Sequence, residues 1–75
     1  MEYLRDNTFL KKLGRHVKKV RLEQGYTQEK LAFAIGVEIS QISRIERGIV
    51  NTSVSTIHII AKELKVDTKS LFDFS

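Results

Sequence analysis

The sequence predicts an all-α domain of five short helices. Three observations carry this. Apolar residues recur at spacings of three and four in successive segments, the period of a helix face rather than the alternation of a strand. Proline is absent, so no segment is broken from within. Capping residues and glycines fall between the segments, with Thr27, Ser53 and Asp67 at starts and Gly25, Gly36 and Gly48 at ends.

In the first segment Phe9, Leu10, Leu13, Val17 and Val20 make one apolar stripe. Asn7 or Thr8 can cap its start and Gly25 can stop it, giving a helix near 9–24. Lys11, Lys12, Arg15, Lys18 and Lys19 fall on the opposite face, and Arg21 sits at the edge of the stripe. Thr27 can cap a second helix, 28–35, with Leu31, Ala32 and Ile35 on its apolar side and Gly36 after it. So short a helix is stable only when it packs on others. A third follows at 39–47. Ile42 and Ile45 share its inner side with Glu46 beside them. A rotation of about 100° per residue sends Ser40, Ser43, Arg44 and Arg47 to the outer side. Gly48, free to turn left-handed, ends it. The stretch GIVNTS reads as a loop, after which Ser53 can cap a fourth helix, 54–64, bearing Val54, Ile57, Ile60, Ala61 and Leu64. Val66 and Asp67 lead into a fifth, 68–73, with Asp67 as cap and Leu71 and Phe72 facing inward. These apolar residues suffice for one continuous core, so 1–75 reads as a single domain.

Composition narrows the function. Seventy-five residues make one domain at most, near the lower limit for an unstapled core. Cysteine is absent, which removes disulfides and thiolate metal sites. His16 and His58 lack acid ligands at matching spacing, so no metal or cofactor is expected. No apolar run approaches the ~20 residues of a membrane span, and the start MEYLRDNTF has no basic-then-apolar signal. A cytoplasmic protein is expected. Lys and Arg number 13 against 9 acids, a net charge of +4 that suits a polyanionic partner. Lys11, Lys12, Arg15, Lys18, Lys19 and Arg21 form a stretch without an acid.

The second and third helices, joined around Gly36, form a helix-turn-helix. The run GYTQEKLAFAIGVEISQISRIERG, 25–48, resembles the helix-turn-helix of the phage repressor and Cro class, also called the xenobiotic-response-element family. The family's opening appears as Thr27, Gln28, Leu31 and Ala32, its turn as Ile35, Gly36 and Val37, and its ending as Ile42, Ser43, Ile45, Glu46 and Gly48. The likeness continues through SVSTIHIIAKELKVDTKSLF and covers about 9–73. It implies a compact five-helix fold like that of the lambda repressor, with the third helix in the major groove of double-stranded DNA and the second across the backbone. Three positions depart from the family pattern. Glu38 stands where a serine or threonine cap is usual, Thr52 replaces a frequent proline, and Ile39 occupies a position often polar.

The candidate base contacts are Ile39, Ser40 and Arg44. A guanidinium in mid-helix can bond guanine O6 and N7 together, a serine hydroxyl can give or accept, and an isoleucine can meet a thymine methyl or cover the rim of the core. Thr27, Gln28, Gln41, Ser43 and Arg47 are candidate backbone contacts, with Gln28 resembling the family's phosphate-holding glutamine. Arg21 and Glu46 resemble the family's buried ion pair. Ile49, Val50, Ile59 and Phe74 are spare apolar groups available to a homodimer interface.

The resulting expectation is a transcriptional regulator, a repressor, acting as a homodimer on a two-fold operator. A restriction–modification controller protein is an alternative, as is an antitoxin or adaptor module working through a protein partner. No sequence feature separates repressor from activator. An enzyme is not expected, because no nucleophile has a base and an orienting partner and no glycine-rich phosphate loop appears. No small-molecule substrate is expected, since no ligand domain is appended.

Overall fold

A computed structural model describes residues 5–75. Residues 1–4, the beginning of the stretch read as lacking a signal, lie outside the described residues. Four α-helices follow in order: α1 Asn7–Glu23, α2 Gln28–Ile35, α3 Ile39–Arg47 and α4 Val54–Leu64. A 3-10 helix, Thr68–Phe72, closes the chain, and no strand occurs among the described residues. The fold is all-helical as expected, but its fifth element is one tight turn rather than an α-helix.

Local chemistry sets the ends. Thr27 and Ser53 cap α2 and α4, their hydroxyls accepting from the Lys30 and Thr56 amides. Gly36 and Gly48 close α2 and α3 in the left-handed region, at φ +75° and +72°. Three expectations need correction. The cap of α1 is neither Asn7 nor Thr8 but Asp6, whose carboxylate accepts from the Phe9 amide at 3.0 Å. Asn7 instead accepts from Arg5 Nε at 2.7 Å. Phe72 does not face inward. At three residues per turn adjacent side chains diverge by about 120°, so Leu71 is buried while Phe72 is exposed. Val54, in the first turn of α4, is 72% exposed and so lies outside the core. Lys65 ends α4 in a left-handed conformation at φ +63°, with its N–H directed to the Ala61 and Lys62 carbonyls.

The core gathers Leu13 and Val17 of α1, Leu31 of α2, Ile42 and Ile45 of α3, Ile57, Ile60 and Leu64 of α4, and Leu71. All are buried, and burying them supplies the main drive for folding, above all for α2, α3 and α4, which are too short to persist alone. His16 Nε2 donates to the Ser70 carbonyl at 2.8 Å, and His58 Nδ1 pairs with the Thr68 hydroxyl at 2.7 Å. Both histidines thus tie the 3-10 helix to its neighbours. Gln24 donates to the Leu64 carbonyl at 2.8 Å, and the Tyr26 hydroxyl to Glu63 at 2.7 Å. That bond to Glu63 holds the Tyr26 phenol above its ordinary pKa, with desolvation adding to it.

Two glycines let α1 and the end of α3 come together. A Cβ on Gly14 would overlap the Ile45 carbonyl oxygen and stand 2.5 Å from that of Glu46. A Cβ on Gly48 would stand 2.7 Å from the Lys11 amide nitrogen. Because both obstacles are backbone, neither can rotate away. Gly14→Ala is expected to lower stability by about 1–3 kcal/mol through overpacking, more than the roughly 1 kcal/mol that alanine gains in helix propensity. A urea melt measures it, and an unchanged or raised midpoint would show that the two helices part freely.

Candidate nucleic-acid interface

The position of α3 rests on one buried group of charges. Arg21 Nε meets Glu46 Oε2 at 2.6 Å, and Arg21 Nη2 meets Oε1 at 3.1 Å. Arg21 and Glu46 are 4% and 6% exposed, so water screens the pair little. Arg21 Nη1 donates to the Tyr26 carbonyl at 2.6 Å, and Gln28 Nε2 to Glu46 Oε1 at 2.9 Å. One guanidinium and one carboxylate therefore bind α1, the turn before α2, the first residue of α2 and the last turn of α3. Among the described residues no buried side-chain polar atom lacks a partner.

Held this way, α3 turns Ser40, Arg44 and Arg47 to solvent, and Ile39 is 48% exposed at its start. Ser43 is half-buried on the side of Glu46. Arg47 folds back weakly, its Nε 3.4 Å from the Ser43 carbonyl. Glu38 is the N-cap residue but makes no side-chain capping bond. Its carboxylate, placed at the positive end of the helix dipole, favours the start of α3 electrostatically.

Polar groups flank α3 on both sides. Thr27 and Gln28, at the beginning of α2, lie on the side of Glu46. On the other side Gln41 and Arg44 line a cleft with Thr52, Ser53 and Thr56, from the loop and the first turn of α4. The sequence reading missed these three hydroxyl residues as interface candidates. The signal for them is the density of Ser and Thr at 52–56, which loop and cap chemistry also accounts for. Arg5 Nη2 donates to the Ile49 carbonyl at 2.7 Å, fastening the segment just before α1 to the loop after α3.

Of the apolar groups read as spare, Ile49 and Ile59 are 46% and 49% exposed. Val50 and Phe74 are not spare, because both pack against the core. The chain doubles back after the 3-10 helix and sets the Phe74 ring 5.5 Å from Phe9 and 5.8 Å from His16. No group of three or more possible metal ligands occurs among the described residues. No helix among them is long and apolar enough to cross a membrane.

Two short helices joined by a left-handed glycine, the second exposing hydroxyl and guanidinium groups, define a helix-turn-helix domain. The chain belongs to the helix-turn-helix family whose model matches residues 17–71. It is 43% identical over 63 residues to the control protein C.BamHI of Bacillus amyloliquefaciens, across 83% of this chain and 78% of that one. It is 37% identical over 62 residues to SlrR, an HTH-type transcriptional regulator of Bacillus subtilis (strain 168), and spans 41% of SlrR's length. The crystal structure of the restriction-modification controller protein C.AhdI from Aeromonas hydrophila superposes with a TM-score of 0.83 at 34% identity, covering 87% of this chain and 98% of that one.

The charge group also predicts a stability effect. Replacing Glu46 with Gln leaves Arg21 buried without a counter-ion, which is expected to cost about 3–5 kcal/mol. Thermal melting monitored by circular dichroism measures it. A midpoint equal to wild type would mean that Arg21 finds water in the folded protein.

Proposed function

We infer that this protein is a DNA-binding transcriptional regulator that reads a two-fold operator as a cytoplasmic homodimer, with α3 in the major groove. The observation that carries this reading is the outward face of α3, where Ser40, Arg44 and Arg47 stand together without an acid. A net charge of +4 supplies attraction to any duplex. In this reading Arg44 takes a guanine edge, while Ile39 and Ser40 meet bases near the start of the helix, the end that probes base edges. Thr27, Ser43 and Arg47 hold phosphates on one side of the groove, and Gln41, Thr52, Ser53 and Thr56 on the other. The likeness to C.AhdI over 98% of that chain favours a controller-type regulator.

A single recognition helix spans too few base pairs to define a site, and paired half-sites lie about 34 Å apart. Ile59 and Val54, exposed on α4, with Phe72 and Ile49, offer the apolar surface for a second copy. Ile59→Lys is expected to convert a dimer to a monomer in sedimentation at micromolar protein. A wild-type monomer both free and on DNA would end the dimer reading.

Arg44→Ala is expected to lose roughly 1–3 kcal/mol on the specific site and less on scrambled duplex, since non-specific binding rests on phosphates. Paired titrations at one salt concentration measure both. Equal losses would make Arg44 a phosphate contact and leave base reading to Ser40 and Ile39.

A further inference from the structure

The outer face of α1 takes no part in holding the fold together. Along it stand Lys11, Lys12, Arg15, Lys18 and Lys19, all exposed. Among the described residues none of these cations makes an ion pair or a hydrogen bond. Arg15 lies three residues from Lys12 and Lys18 and four from Lys11 and Lys19. At those spacings side chains on a helix are neighbours, and like charges repel. The fold has no need of this repulsion, because Leu10, Leu13, Val17 and Val20 on the other side already hold α1 to the core. No acid of the chain relieves it. Asp73 borders the face beside Lys12, Arg15 and Lys19 but pairs with none of them, and Glu23, four residues beyond Lys19, is also unpaired.

The face extends well away from α3. Gly14 is the residue of α1 that meets the Ile45 and Glu46 carbonyls. A turn of about 100° per residue puts Lys12 and Lys19 on the flank opposite Gly14, beside Asp73 and Phe74.

Leu22 decides which polyanion fits. It is 57% exposed in the last turn of α1, and with Arg15, Lys18 and Lys19 it lines a cleft that ends at Glu23. A duplex backbone offers phosphates in regular succession. It would leave Leu22 without an apolar partner and would be repelled by Glu23. A protein segment whose acids flank one apolar side chain meets each of these groups. Its carboxylates reach the cationic heads, and its apolar residue rests on Leu22 and on the methylene stems that Lys and Arg lay along a surface. Glu23 marks the end beyond which such a segment carries no acid.

We propose that the outer face of α1 is a docking surface for an acidic segment of another protein, with one apolar residue of that segment seated on Leu22. The proposal does not depend on the reading of α3 as the recognition helix.

The probe is a labelled synthetic peptide of glutamates and aspartates around one leucine, titrated by fluorescence anisotropy. A second peptide carries serine in place of that leucine. The first is expected to bind saturably, and the second to bind about fivefold more weakly, the share that half-burying one leucine contributes. Leu22→Ser is expected to weaken the leucine peptide by a similar factor and to leave the serine peptide unchanged. Arg15→Glu is expected to weaken both by about fivefold, through loss of exposed ion pairs. It is also expected to raise the melting midpoint, since repulsion from its neighbours becomes attraction. Lys62→Glu, an equal change of net charge on α4, is expected to weaken the peptides far less.

No binding of the leucine peptide would overturn the proposal. Equal binding of the two peptides, or equal losses from Arg15→Glu and Lys62→Glu, would show that only net charge is felt and would overturn it too. Scrambled duplex DNA supplies the remaining arm. Arg15→Glu is expected to weaken that duplex no more than Lys62→Glu does. A larger loss would make the face a phosphate contact, and the docking surface would fall.

Discussion

The contact between Arg21 and Glu46 is the constraint on which the rest of this structure depends. Both residues are charged, both are buried, and they come from helices separated by the whole of α2. A buried ion pair adds little net stability over a well-packed apolar pair, because desolvation consumes most of the Coulomb gain. What it does supply is directionality. Apolar packing between α1 and α3 would tolerate a slide or a roll of α3. The two hydrogen bonds between a planar guanidinium and a carboxylate tolerate neither.

That directionality matters because α2 and α3 are short. Neither helix has enough internal hydrogen bonding to exist alone, so each takes its orientation from what it touches. Leu31 and Ile42 bring them into the core, the left-handed Gly36 sets the turn between them, and Glu46 receives Gln28 across the gap. The outward face of α3 is therefore placed by the interior of the molecule. Among the described residues only one of its long side chains, Arg47, makes an intramolecular hydrogen bond, and that one is long.

Much of this was legible in the sequence. The four α-helices follow from periodicity and capping, since burial of one face imposes the three-and-four spacing directly. Thr27, Ser53, Gly36 and Gly48 mark ends because each has one physical use there. The misses share a cause: they depend on how far a segment reaches in space. Asp6 was passed over for its neighbours because several residues in a row can cap a helix, and only the backbone path selects one. Lys65 carries no glycine-like signal, so its left-handed turn is imposed by the packing of α4 and the 3-10 helix. Phe72 has the spacing of an inward residue only if the last element is an α-helix. The pairing of Arg21 with Glu46 is implied by the resemblance to the repressor family rather than by periodicity or spacing. Nothing along the chain indicated that Gln28 would complete it, because residue 28 and residue 46 meet only after α2 and α3 cross.

The close approach at Gly14 and Gly48 divides the molecule into parts with different freedom to vary. Where α1 touches the end of α3, backbone lies against backbone, and any side chain at either glycine must displace a helix. The outer positions 40, 44 and 47 meet no such obstacle. On the proposed reading of α3, descent with modification can therefore rewrite the operator preference of such a protein residue by residue, while the scaffold that presents those residues is inherited unchanged. A lineage could then diverge into regulators that ignore one another's sites without first passing through an unfolded ancestor.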